Sequence, residues 1–149
     1  MAIEYTFYSA ADLSTDRLRS MIAAVIAGTI MPDGSLTREG LWTTAHRVEP
    51  GDEATAPPLF GFTHRLSVRF RFSATRRDLE EHNTALMVGA VLALAQADGV
   101  LLFNGEEAVL QCVNGEATFA ADWDGWDDMP EVAALQAGRR TAHLAQPLL

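Results

Sequence analysis

Residues 63–73, THRLSVRFRFS, alternate with a period of two: Leu66, Val68, Phe70 and Phe72 interleave with Arg65, Ser67, Arg69 and Arg71. Successive side chains of a strand point to opposite faces, so this pattern predicts one buried face and one wet face. A strand of that kind belongs in a sheet covered on one side only.

The rest of the chain supplies the cover and the neighbours. A first strand is predicted over 3–10. Ser14 follows as an N-cap, with Asp16 in the first helical turn, where a negative charge is favourable. Leu18, Met21, Ile22, Val25 and Ile26 then fall at helical spacing, and Gly28 reads as the stop. MPDGS at 31–35 is turn chemistry, since proline fixes φ and glycine accepts positive φ. A second strand is predicted over 41–48, and 49–58 reads as a polar, proline-bearing loop. Thr75 and Asp78 resemble a capping box opening a helix that runs to about Ala97, with Gly99 closing it. Two Asn-Gly steps, at Asn104 and Asn114, separate apolar runs over 100–103, 107–113 and 116–121. Both residues of Asn-Gly accept the positive φ of a type I′ turn, so a three-stranded meander follows. A short helix is expected from Pro130.

The expected order is β-α-β-β-α-β-β-β. This is an α+β, two-layer sandwich: a mainly antiparallel sheet with two helices on one face, a ferredoxin-like start (β-α-β-β-α-β) and a β-meander extension. At 149 residues the chain suits a single domain, 1–149, that can bury a core without staples. The lone cysteine, Cys112, sits in an apolar alternating stretch and reads as a small core hydrophobe. The N-terminal residues lack the basic start and apolar run of a signal peptide. The longest apolar run, 85–95, falls far short of the roughly 20 residues that span a bilayer. These features predict a cytoplasmic protein with no membrane partner.

Charge is unevenly placed. All eleven cations are arginines, against twenty acids, for a net charge of −9. Between Arg77 and Arg139 there is no basic residue, and residues 78–138 hold twelve acids. Such a field repels nucleic acid and speeds encounter with a basic partner. Its densest part is ADWDGWDDMP at 121–130, where Asp122, Trp123, Asp124, Trp126, Asp127 and Asp128 fall within seven residues.

That segment is the first candidate site. Read as a calcium loop from Asp122, it fits at positions 1 and 3, but position 6 is Asp127 rather than glycine and position 12 is Ala133. A weak divalent-cation site at Asp122, Asp124 and Asp127 is the remaining metal reading. Two further readings stand. In one, the tryptophans cover an edge of the core while the aspartates face water ahead of the helix at Pro130. In the other, Trp123 or Trp126 is presented as an anchor ringed by carboxylates, the anatomy of a protein interface. The second candidate is the sheet face bearing His46, His64, Arg65, Arg69 and Arg71, as a small enzyme or ligand-binding surface. No histidine has a second histidine or cysteine at zinc-ligand spacing. There is no P-loop, dinucleotide fingerprint or nucleophile elbow, so no cofactor is predicted.

GLWTTAHRVE, LFGFTHRLSVRFRF, ADGVLLFNGE and DWDGWDDMPEVAAL resemble, in order and spacing, a bacterial immunity-protein family. It is the third class of immunity partner to the swarming-inhibition toxins used in contact-dependent killing between related cells. One departure is visible after the alternating strand. The family pattern tends to carry an Asp-Lys pair there, and this chain has Ser73-Ala74-Thr75 and two arginines. The resemblance implies a cytoplasmic, non-catalytic protein that binds and blocks a cognate toxin. The charge itself adds that an acidic inhibitor suits a toxin with a basic active site.

Overall fold

Among the residues described by this computed structural model, 3–49, 54 and 56–147, nine strands form one sheet. In chain order they are β1 (Ile3–Ser9), β2 (Thr29–Ile30), β3 (Leu36–Arg38), β4 (Leu41–Arg47), β5 (Leu66–Phe72), β6 (Gly99–Phe103), β7 (Glu107–Val113), β8 (Glu116–Ala120) and β9 (Arg140–Ala142). The helices are α1 (Thr15–Ile26), α2 (Ala56–Leu59), α3 (Glu80–Ala93) and α4 (Pro130–Gln136). Across the sheet the order is β2-β3-β4-β5-β1-β6-β7-β8-β9, antiparallel except for the closing β8–β9 pair.

The α+β class and the mostly antiparallel sheet match the expectation; the details of its start do not. β2 and β3 intervene between α1 and β4, and α2 precedes β5, so the β-α-β-β-α-β order is interrupted. The expected pair of helices also grows. α3 packs against α1 on one side and α4 on the other, so three helices share one face. α2 lies on the opposite face, where Ala56 joins Val100, Leu102 and Ala108 under Phe60, Phe62 and Leu144. Among the described residues that small second cluster covers the β6–β7 part of the sheet and the Tyr8 end of β1. Part of the loop expected over 49–58 lies outside the described residues.

The alternating strand is laid down as its pattern requires. Leu66, Val68, Phe70 and Phe72 are buried on the helix side, while Arg69 and Arg71 are exposed on the other. β5 pairs with β4 and β1, placing Trp42 and Glu4 opposite Arg71 and Thr44 and Thr6 opposite Arg69. The polar face of β5 is therefore set by residue parity alone.

Helix ends depart from the expectation in informative ways. Ser14 caps α1 as predicted, its side chain accepting from the Arg17 N–H at 3.2 Å. The left-handed residue at the other end is Ala27 (φ 53°) rather than Gly28. Gly28 is needed for space, since a Cβ there would stand 3.1 Å from Ile26 and 3.2 Å from the Thr37 carbonyl. The capping box at Thr75 does not form. Thr75 pairs with Ser73, and the Asp78 carboxylate accepts from Arg76 at 3.0 and 3.1 Å ahead of a 3-10 turn, Arg77–Leu79, that leads into α3. α3 ends at Ala93, earlier than expected, and Gly99 opens β6 instead of closing the helix. Both Asn-Gly turns form as read, with φ of 50° and 72° at Asn104 and Gly105 and of 53° and 80° at Asn114 and Gly115.

Gly99 marks the tightest approach at the sheet centre: an added Cβ would lie 2.8 Å from the buried Phe7 ring and 3.0 Å from the Tyr8 carbonyl. Backbone on one side and a locked ring on the other leave no room to yield. Gly99→Ala is expected to destabilise the chain by about 1–3 kcal/mol. In a urea titration the midpoint falls while the slope is unchanged.

Candidate functional site: the acidic tryptophan segment

β8 ends at Ala120, and the chain then folds over the helix-side edge of the sheet before entering α4. The crossing is made of tight turns. The Asp127 N–H donates to the Asp124 carbonyl at 3.1 Å, and the Met129 N–H donates to the Trp126 carbonyl at 3.1 Å. Gly125 allows the fold-back, because a Cβ there would collide with the Trp123 indole.

The two tryptophans serve the interior. Trp126 is 3% exposed, and its Nε1–H donates to the Tyr5 hydroxyl at 2.9 Å. Tyr5 stands on the central strand, in edge contact with Phe72 and Phe103. Trp126 also meets Phe119 and Trp123 edge-on. Trp123 is half-buried against Phe103, ring centroids 4.8 Å apart. This aromatic group fastens the segment to the sheet. Trp126 is thus not on the surface as an anchor, and Trp123 offers only part of its ring.

The aspartates face the other way. Asp122, Asp124, Asp127 and Asp128 are all exposed. Asp122 has a distant partner in His143, at 3.9 Å. Beyond them, Glu131 in the first turn of α4 is 2.8 Å from the His82 ring, and its N–H donates to the Glu81 carboxylate at 3.0 Å. The start of α4 is thereby tied to the start of α3. Among the described residues no three acidic, histidine or cysteine side chains converge to hold a metal ion.

The second candidate does not gather into a site. Arg65 and Arg47 both turn to Asp12, at 3.8 and 2.7 Å, and hold its carboxyl below the usual range, chiefly through the Arg47 hydrogen bond. Arg69 pairs with Glu4 at 3.3 Å. His64 precedes β5 and meets the Tyr8 ring edge-on, whereas His46 is exposed on β4 opposite Ser67. Arg47 and Arg65 share Asp12, Arg69 takes Glu4, and Arg71 has no ion pair among the described residues. Cys112 is buried with its thiol pushed up to about 12, mainly by desolvation, so it carries no thiolate near neutrality. Sequence reasoning passed over Trp42, which is 40% exposed on the face opposite α1, α3 and α4. Its signal was parity: Trp42 sits one residue from Leu41 and Thr43, both buried.

The family model for SitI3-like proteins matches residues 3–130. The chain belongs to the SitI3-like family. That is the immunity-protein family which the strand and tryptophan motifs resemble. The matched stretch runs from the first residue of β1 to the first of α4, so it takes in the whole acidic tryptophan segment. No curated protein and no solved structure matches the chain. No helix among the described residues is long and apolar enough to cross a membrane.

The Trp126–Tyr5 bond makes a stability prediction. Tyr5→Phe leaves the Trp126 N–H buried without an acceptor, at a cost of about 1–3 kcal/mol. It also alters the pH profile. Burial raises the Tyr5 pKa from 10.0 to about 12, against a smaller lowering by the Trp126 bond. The folded chain therefore holds a proton that the unfolded chain releases. This contribution is complete below pH 10 and is lost as pH rises through about 12. Chemical denaturation across pH 7–12 should show a lower plateau for the variant and a weaker alkaline decline.

Proposed function

We propose that this chain is a non-catalytic immunity protein that binds a cognate bacterial toxin in the cytoplasm and blocks it. Membership of the SitI3-like family carries the reading. The charge distribution supports it and suggests where contact is made. The exposed carboxylates of Asp122, Asp124, Asp127 and Asp128 project from a segment whose tryptophans are packed beneath them. Rigid backing keeps those carboxylates in place, so a partner need not order the loop on binding. A toxin with a basic active site would be drawn to this edge by long-range attraction and held through arginine–carboxylate pairs.

In this reading Trp123 and Trp126 act through the carboxylates they position. Trp123 adds part of its ring to the contact, and Trp126 adds none unless the segment opens.

Co-expression with the toxic domain encoded beside the gene tests the function. Growth should be restored, and a one-to-one complex should be recovered. Toxicity that persists, with no complex, would end the proposal. Replacing the four aspartates with asparagine should lower the association rate by about tenfold or more at low salt and flatten its salt dependence. An unchanged rate would move the contact away from this edge.

A further inference from the structure

The face of the sheet opposite α1, α3 and α4 is covered by α2 and the C-terminal tail over β1, β6 and β7, and among the described residues no helix covers it over β4 and β5. There Trp42 and Arg71 are register partners, both exposed. Arg71 differs from its neighbours on the strand. Arg69 is held by Glu4 and Arg65 by Asp12, whereas the Arg71 guanidinium has no ion pair or hydrogen bond among the described residues. A shallow groove of about 410 Å³ runs beside this pair, bounded by Thr37, Gly40 and the Ser73-Ala74 corner. Gly40 has φ 81°, and a Cβ there would meet Asn83 and Leu79 on the helix side, so its backbone lines the end of the groove.

We propose that this Trp42–Arg71 face is a second protein-docking surface, which takes a carboxylate-bearing loop with an apolar side chain from the same toxin polypeptide. The inference rests on the immunity reading above and adds a contact that the acidic edge does not provide. Three observations select the occupant. An exposed indole beside a groove is a typical interface anchor, because a large rigid surface is desolvated at little entropic cost. A guanidinium without a partner matches a carboxylate in a bidentate pair. Nucleic acid is disfavoured, since one uncompensated arginine on a chain of net charge −9 cannot offset phosphate repulsion. The surface therefore has the opposite preference to the acidic edge. The acidic segment packs its tryptophans on the helix side, so the two contacts lie on opposite faces and their effects should be separable.

Calorimetric titration of the full chain with the catalytically inactivated toxic domain encoded beside it tests this. Trp42→Ala should weaken binding by about 30-fold or more and Arg71→Glu by about tenfold or more, while Arg71→Lys, which keeps the charge but loses the bidentate fork, should lose less than Arg71→Glu. Both residues are exposed, so unchanged urea midpoints should accompany the losses. If the unaltered chain binds and both variants bind within twofold of it, this surface is wrong while the immunity reading stands. If the unaltered chain does not bind, both fail together. Sedimentation of the chain alone gives a further arm: self-association that Trp42→Ala abolishes would make the occupant a second copy and overturn the proposal.

Discussion

The hydrogen bond from Trp126 to Tyr5 joins the two ends of the fold. Tyr5 stands on the central strand near the beginning of the chain, and Trp126 lies in the segment that follows the last antiparallel strand. Burying a phenol and an indole together is favourable only when their polar atoms meet. That one contact fixes where the acidic segment crosses the sheet, and so where α4 begins and where four carboxylates point. Without it, α4 would retain its ties to α3 through Glu81 and His82, but the segment between would have lost its deepest anchor.

This arrangement settles how aspartate and tryptophan can alternate so closely. The indoles supply burial, and the carboxylates stay exposed to water on the outer side of the same turns. A segment built like this is rigid without being hydrophobic outside. Rigid carboxylates with a firm backing suit recognition of a basic protein surface better than metal binding, which needs several oxygens pointed at one centre.

Much of the fold was legible because it followed from period and turn chemistry. The alternation of β5 and the two Asn-Gly turns fixed strand faces and the meander directly. Elements of two or three residues were not legible. β2, β3 and β9 are too short to show any period, and their pairing depends on neighbours far away in sequence. Glycines misled where space, rather than φ, was the constraint: Gly28 beside Ile26, and Gly99 under Phe7. The site was legible as a charge pattern and illegible as a surface. Composition cannot say which side of Trp126 faces water, and the exposed tryptophan lay in the second predicted strand instead.

The account divides the three tryptophans by role: Trp126 as an interior fastener, Trp123 as its half-covered neighbour and Trp42 as the exposed one. Fluorine NMR of the chain labelled with 5-fluorotryptophan tests that division directly. The Trp42 resonance, assigned through Trp42→Phe, should shift between H2O and D2O and move again when the inactivated toxic domain is added. The Trp126 resonance should respond to neither change. A solvent-sensitive Trp126, or a Trp42 that is silent in both comparisons, would contradict the account.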